Sequence, residues 1–466
     1  MVTEVGAIVL ALGLLMAVAY RGLPVIIFAP LCALLAAALS GLPLLPSYTE
    51  LFMTGVAGFI RSFFPLFLLG AIFGKLMDAS GGAASIAGSM VRALGPRHAI
   101  PAVVLAGAVL TYGGVSLFVV AFAVYPLGAA MFRDAGIPKR LLPAAIALGA
   151  FTFTMDALPG TPQVQNIIPT RFFGTDAYAA PAVGLCGSML VLLCGLFWLE
   201  RRRARAAAAG EGYGAGHLNE PEARSTEDLP SLGAAILPLV LVLAVNFILS
   251  RTSWSTESWY PESALRLKFP ATNPRDAGPS WAVIVALSAG IVATLGLHAR
   301  RMRGKVSVTL SAATAGALPA IFNTASEVGF GTVIKSLPGF GVVRGWVLDV
   351  SRNVLVSEAV AVNVLAGITG SASGGLSIAL EVMGKHYLEA ARAQGISPEL
   401  LHRIASMASG GMDTLPHNGA VITLLAITGL THRQSYPDIF AITVIKTAAV
   451  FTLALAAPSL PALLGH

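Results

Sequence analysis

Long apolar runs, interrupted at short intervals, dominate the chain. Runs near the roughly 20 residues that a membrane-crossing helix needs lie at 4–20, 22–40, 51–77, 99–112, 117–132, 141–158, 181–199, 231–249, 281–298, 307–335, 353–369 and 437–461. The stretches at 80–97, 163–175, 371–392 and 403–430 are apolar too, but broken by Gly, Pro, Ser and Asn. The pattern predicts an all-α polytopic membrane protein of about ten to fourteen transmembrane segments, some of them discontinuous.

The polar exceptions organise the rest. Residues 200–230, rich in Ala, Gly, Glu and Arg and without an apolar period, read as a mobile cytoplasmic linker between a membrane half at 1–199 and a second at 231–466. Arg201-Arg202-Arg203-Ala204-Arg205 and Arg300-Arg301-Met302-Arg303-Gly304-Lys305 are placed in the cytoplasm by the positive-inside rule. Two runs lie between them, so 250–280, with Trp254, Trp259 and Tyr260, is expected outside, and Arg21 puts the N-terminus outside as well. Met1-Val2-Thr3-Glu4 lacks the basic start of a signal peptide, so the first run is expected to be a retained span.

Composition supports this and excludes other classes. Of 466 residues, 56% are apolar and 11% charged, well under the roughly 25% charged of soluble domains. The net charge of +7 sits in short runs between apolar segments, so it gives no nucleic-acid footprint. Cys32, Cys186 and Cys194 lie in apolar stretches and make neither a metal spacing nor a disulfide framework. There is no GxxxxGK[ST] phosphate loop, His/Cys metal cluster, nucleophile elbow or HExxH. ATP, a metal, a cofactor and enzymatic catalysis are therefore not expected.

The two halves repeat each other. Met155-Asp156-Ala157-Leu158-Pro159 returns 257 residues later as Met412-Asp413-Thr414-Leu415-Pro416. Gly113-Gly114-Val115-Ser116 matches Gly374-Gly375-Leu376-Ser377, Leu105-Ala106-Gly107 matches Leu365-Ala366-Gly367, and Gly74 matches Gly331. With the loops oriented as above, 51–77 enters from outside and 307–335 from the cytoplasm. That makes the second repeat, at about 307–461, inverted, an arrangement of secondary transporters that bind substrate where broken helices meet.

Candidate chemistry gathers at the breaks. Pro159, Gly160 and Pro162 cannot continue a helix, so the segment through Asp156, Thr161, Gln163 and Asn166 faces protein or a wet cavity, where free N–H groups suit a carboxylate. The second break, Ser409 to Gly419, carries Asp413, His417 and Asn418. Desolvation disfavours an ionised carboxyl, and imidazole titrates near neutrality, so both are candidate proton sites. Gly113, Gly114 and Ser116, and Ser371, Ala372, Ser373, Gly374 and Ser377, offer sharp turns and uncharged hydroxyl donors. Glu327 lies inside an apolar run and is a functional candidate for that reason; Glu358 and Glu381 are weaker cases. Each has a plainer alternative: a short loop at the membrane surface for the first break, a helix cap or structural hydrogen bond for Asp413, a surface or capping place for His417, close helix packing for the Gly/Ser runs, and a helix end reaching water for Glu327.

At Tyr112 to Ser116, Asp156 to Asn166, Pro169 to Gly174, Ser371 to Ser377 and Ser409 to Asn418, the chain resembles the gluconate permease family of the ion transporter superfamily. The stretch Gln165 to Gly174 looks closer to its 3-hydroxybutyrate-type permeases. The resemblance implies proton-coupled symport of a small hydroxy monocarboxylate across the bacterial inner membrane. It also implies a homodimer with scaffold and elevator-type transport domains and re-entrant hairpins, here near 80–97 and 338–350. The expected substrate site is Gly113, Gly114, Ser116, Gly160, Thr161, Gln163, Asn166, Ser371, Ala372, Ser373, Gly374, Ser377, His417 and Asn418, with Asp156, Asp413 or Glu327 carrying the proton. A sodium-coupled symporter or exchanger is the alternative, though paired Ser-Asn-Thr tripeptides are missing and Asn323-Thr324 is only a fragment of one. A passive channel is the rival of another class.

Overall fold

The computed structural model describes residues 2–21, 23–221, 229–251, 269 and 274–457. The expected outer segment 250–280 therefore lies largely outside the described residues. The described residues form helices and turns, with no strand among them. The helices are α1 (Val2–Tyr20), α2 (Val25–Leu39), α3 (Met53–Ala79), α4 (Gly82–Leu94), α5 (Ala99–Tyr112), α6 (Leu117–Asp134), α7 (Leu142–Ala150), α8 (Val164–Phe173), α9 (Pro181–Ala208), α10 (Leu232–Arg251), α11 (Pro274–Leu297), α12 (Val306–Ser336), α13 (Phe340–Asp349), α14 (Val354–Thr369), α15 (Ala372–Ala393), α16 (Pro398–Gly410), α17 (Gly419–Thr428) and α18 (His432–Ala456).

Among the described residues, seven helices are long and apolar enough to cross a bilayer. The pair Gly82–Leu94 and Pro96–Tyr112, bent by 107°, makes an eighth if it counts as one span. The other apolar runs fold as shorter helices on either side of breaks, which is what discontinuous spans require. Side-chain size sorts the faces. On α9, Leu185, Met189, Leu193 and Phe197 are exposed at every fourth position, while Gly184, Gly187, Val191 and Gly195 are buried. Large residues outward and small ones inward is the packing of a helix against protein on one side and lipid on the other.

Element order displays the repeat. The series α3 to α9 matches α12 to α18 helix for helix. Left-handed glycines end matched helices: Gly174 (φ 66°) after α8 and Gly429 (φ 64°) after α17. Gly55 near the start of α3 lies against Gly329 and Thr332 near the end of α12. The matched helices thus run antiparallel, as an inverted repeat demands. Two sequence matches need correction. Ser116 precedes α6 as Ser371 precedes α15, so the partner of the Gly113–Ser116 break is the turn at Gly370–Ser371. Gly374 and Gly375 instead sit in the first turn of α15, where an added Cβ would strike Glu327 and Ala366 respectively. Leu365–Gly367 is likewise about one turn nearer its helix end than Leu105–Gly107. The regions 80–97 and 338–350 fold as the short helices α4 and α13, each turning into the next helix.

The linker is partly anchored. α9 continues through the basic run to Ala208, and residues 209–221 fold back on the ends of both repeats. Arg140 donates to both oxygens of Glu211 (2.7 and 2.8 Å), Lys139 to Glu220 (2.7 Å), and Asn219 to the Ala426 carbonyl (2.8 Å). The loss of periodicity in the sequence marks the end of a helix, and these ion pairs hold the residues beyond it in place.

Candidate substrate and proton site

The C-terminal breaks converge on Asp413. Its Oδ1 accepts from the Ala372 N–H (3.1 Å) at the start of α15 and from Asn418 Nδ2 (3.0 Å). Its Oδ2 accepts from Gln165 Nε2 (3.1 Å) in the other repeat. Three donors, one of them the N-terminus of α15, surround one carboxylate. Asn418 caps α17 through Ala420 N–H (2.7 Å) and donates to the Gly370 carbonyl (2.9 Å). His417 Nε2 donates to the Gly367 carbonyl (3.2 Å), its ring lying over Gly370, whose φ of 67° only glycine takes up easily. Both residues tie one break to the other.

The N-terminal break repeats the plan with different chemistry. Gln163 Nε2 donates to the Thr111 carbonyl (2.8 Å), as Asn418 does to Gly370. Gly160 has φ 82°, and its Cβ position is filled by the Tyr178 ring. Asn166 donates to the carbonyls of Thr161 and Ala177 (both 2.9 Å). Its Oδ1 accepts from Arg403 Nη1 (2.8 Å) and His402 Nε2 (3.3 Å). The amides of Gln163 and Asn166, expected to meet substrate, are thus engaged in holding the break. Gly113 and Gly114 are buried under Leu239 of α10 and Leu287 of α11. Thr161 is buried with its hydroxyl unpartnered.

Two buried cations complete the junction. Lys446 of α18 pairs with Asp156, and both side chains are fully buried. Arg403 of α16 is fully buried as well. It donates five hydrogen bonds of 2.8–3.3 Å, to the carbonyls of Asp156, Ala177 and Ala179 and to Asn166. Sequence reasoning missed Lys446, Arg403 and His402. Lys446 left a readable signal, being the one basic residue in the apolar run 437–461. The cross-links Gln165–Asp413, Arg403–Asn166 and Lys446–Asp156 lace the two repeats together at their breaks.

Glu327 differs from both aspartates. It is buried on α12 with Oε2 unpartnered, and its carboxyl lies where a Cβ on Gly374 would be. Around it Thr324 Oγ1 lies 3.4 Å from Ser373 Oγ, which is 3.3 Å from Ser371 Oγ. Ser371 caps α15 by accepting from Gly374 N–H (3.1 Å), and Ser377 bonds the Ser373 carbonyl (2.6 Å). Here neutral hydroxyls, a helix start and a carboxyl with no balancing charge come together. Among the described residues no group of His, Cys, Asp and Glu is arranged to hold a metal ion.

The model of the GntP family permease matches residues 1–336. The chain belongs to the GntP permease family. Uncharacterized transporter YxjC of Bacillus subtilis is 53% identical over 464 residues, covering 97% of this chain and 98% of its own. An uncharacterized permease of Haemophilus influenzae is 27% identical over 203 residues, covering 42% of this chain and 40% of its own. Two solved structures share the fold. The YdaH transporter of Alcanivorax borkumensis, described as having an unusual topology, has a TM-score of 0.54 at 17% identity, covering 87% of this chain and 88% of its own. MtrF of Neisseria gonorrhoeae, described within a class of antimetabolite efflux pumps, has a TM-score of 0.54 at 15% identity, covering 85% and 83%. As a GntP permease the protein is a multi-pass membrane transporter.

Proposed function

We propose that the protein is a proton-coupled symporter of a small hydroxy monocarboxylate, of the size of 3-hydroxybutyrate or gluconate, in the bacterial inner membrane. The observation carrying this reading is the buried, unbalanced carboxyl of Glu327 beside Ser371, Ser373 and Thr324 at the start of α15. The hydroxyls can donate to a substrate carboxylate. A second anion beside Glu327 would be strongly repelled at low dielectric. A proton on Glu327 removes that repulsion, so substrate and proton enter together and the pair crosses without net charge.

The three carboxyls sort by their partners. Asp413 is held by three neutral donors and Asp156 by Lys446, whereas the Glu327 carboxyl has neither an ion-pair partner nor a partner for Oε2. Glu327 is left as the proton carrier, and Asp156 and Asp413 as organisers of the breaks. The laced breaks suit movement as one body, elevator-like, within a homodimer, and the linker at 200–230 is assigned to the cytoplasm. The short-chain substrate is favoured by the resemblance of Gln165 to Gly174.

The test is uptake of labelled D-3-hydroxybutyrate into proteoliposomes under an inward proton gradient, with gluconate as competitor and choline replacing sodium. Gradient-driven uptake that gluconate leaves intact, and that falls about tenfold or more in Glu327→Gln, is the expected result. Block by gluconate moves the substrate to sugar acids. Uptake that needs sodium and ignores the proton gradient overturns the coupling ion.

A further inference from the structure

A second buried carboxyl lies outside this site. Glu358, in the second turn of α14, is 0% exposed, and neither Oε1 nor Oε2 has a hydrogen-bond partner. The adjacent helix α15 brings Tyr387 within electrostatic reach, also 0% exposed and with its hydroxyl unpartnered. Two buried polar side chains without partners, on neighbouring helices, are expensive to keep unless they serve each other or a ligand.

The surroundings exclude an ion-pair explanation among the described residues. Charged groups on the elements packed against α14 and α15 either face other partners or, as with Asp349, Lys385, Arg392 and Arg433, are exposed. Arg344 meets His386, which meets Glu389; Lys335 meets Glu381; His402 and Arg403 meet Asn166; Lys446 meets Asp156. Asp413 meets Ala372, Asn418 and Gln165. Among the described residues no charged side chain forms a hydrogen bond or ion pair with Glu358. α1, which packs on α14, is apolar from Val5 to Val18.

The position matters as much as the isolation. Tyr387 is thirteen residues beyond Gly374 on α15, which puts it about 20 Å along the helix from Glu327. Glu358 lies about one turn inside the polar end of α14, where Asn353 caps the helix and Gln394 donates to the Arg352 carbonyl (3.0 Å). Water at that end is one helical turn away from a carboxyl that nothing else neutralises.

We infer that Glu358, with the Tyr387 hydroxyl as its polar neighbour on α15, is a second proton-binding site, separate from Glu327 and nearer one membrane face. The ligand is a proton. It is taken from water as the Glu358 carboxylate becomes the acid, and returned to water as the O–H bond breaks. Tyr387 keeps its own proton throughout, and its hydroxyl dipole acts on the carboxyl from the neighbouring helix. The inference adds to the symport reading but is measured apart from it.

The experiment is pH-difference infrared spectroscopy of the protein in liposomes, comparing wild type with Glu358→Gln, Glu327→Gln and Tyr387→Phe. A titrating carboxyl band that disappears in Glu358→Gln, survives in Glu327→Gln and shifts in frequency in Tyr387→Phe is the expected result. The pH profile of substrate counterflow, which needs no gradient, should shift in Glu358→Gln. If Glu358→Gln keeps every titrating carboxyl band of the wild type, the site is overturned. An unshifted band in Tyr387→Phe overturns the pairing, and that variant reads the site even where Glu358→Gln does not fold. Lack of gradient-driven uptake in the wild type would defeat the symport reading while leaving the infrared band as evidence for this site.

Discussion

At the scale of residues, the two matched aspartates show how one position in a repeat takes two electrostatic solutions. Asp413 is stabilised by neutral N–H donors and Asp156 by the ammonium of Lys446. A buried ion pair contributes little net stability over an apolar pair, but removing one partner strands the other charge, at about 3–5 kcal/mol. Lys446→Met should therefore lower the thermal midpoint in detergent sharply, and adding Asp156→Asn should restore most of the loss. Equal destabilisation in single and double variants would mean that the two side chains are not coupled. The sequence pointed to Asp156 because its Met-Asp-x-Leu-Pro setting recurs. It could not point to the partner, because Lys446 is 290 residues away and only the closed bundle brings them together. Arg403 was hidden for the same reason: it stands in its own repeat but bonds the break of the other.

At the scale of elements, breaks were legible where the covalent chain dictates them and illegible where packing does. Pro159, Gly160 and Pro162 end a helix by local rules, and the structure breaks there. Gly374-Gly375 also looked like a break, yet it lies inside α15 because those glycines serve close approach to Glu327 and Ala366. A Gly pair states that space or freedom is needed, not which. Ser371, three residues before Gly374, was the better signal, since a Ser that accepts from the third N–H of a helix marks its start. This gives Gly374→Ala a definite consequence. The new Cβ would occupy the place of the Glu327 carboxyl and push it from the hydroxyl cluster. Displacement of about 1 Å at such a site costs up to about a hundredfold, so proton-driven uptake should fall at least about tenfold with expression unchanged. Gly341→Ala, where a Cβ meets open space, is the control. Normal uptake in Gly374→Ala would detach Glu327 from transport.

For the whole molecule, the connection between the repeats links charge to shape. Residues 209–221 lie across the ends of α6, α7 and α17, held by Arg140–Glu211 and Lys139–Glu220 and by Asn219 on Ala426. The hydrogen bonds from Arg140 hold the Glu211 carboxyl below its ordinary range. A carboxyl depressed in the folded state contributes its stability above the unfolded value, about 4.3, and loses it as the pH falls through the lower folded value. The pair is partly exposed, at 23% and 41%, so salt screens it and its contribution is small. Its effect is on local opening rather than global unfolding. Cleavage within 209–221 by an acid-active protease should accelerate as the pH drops below that value, and should accelerate with salt at higher pH. Glu211→Gln should be cut quickly at every pH, because the ionised carboxylate is what Arg140 grips. A wild-type cleavage rate flat across this window would mean that uncharged contacts such as Asn219 on Ala426 secure the strap. A pH-dependent rate in wild type that Glu211→Gln abolishes would show that one ion pair closes the loop joining the two inverted halves.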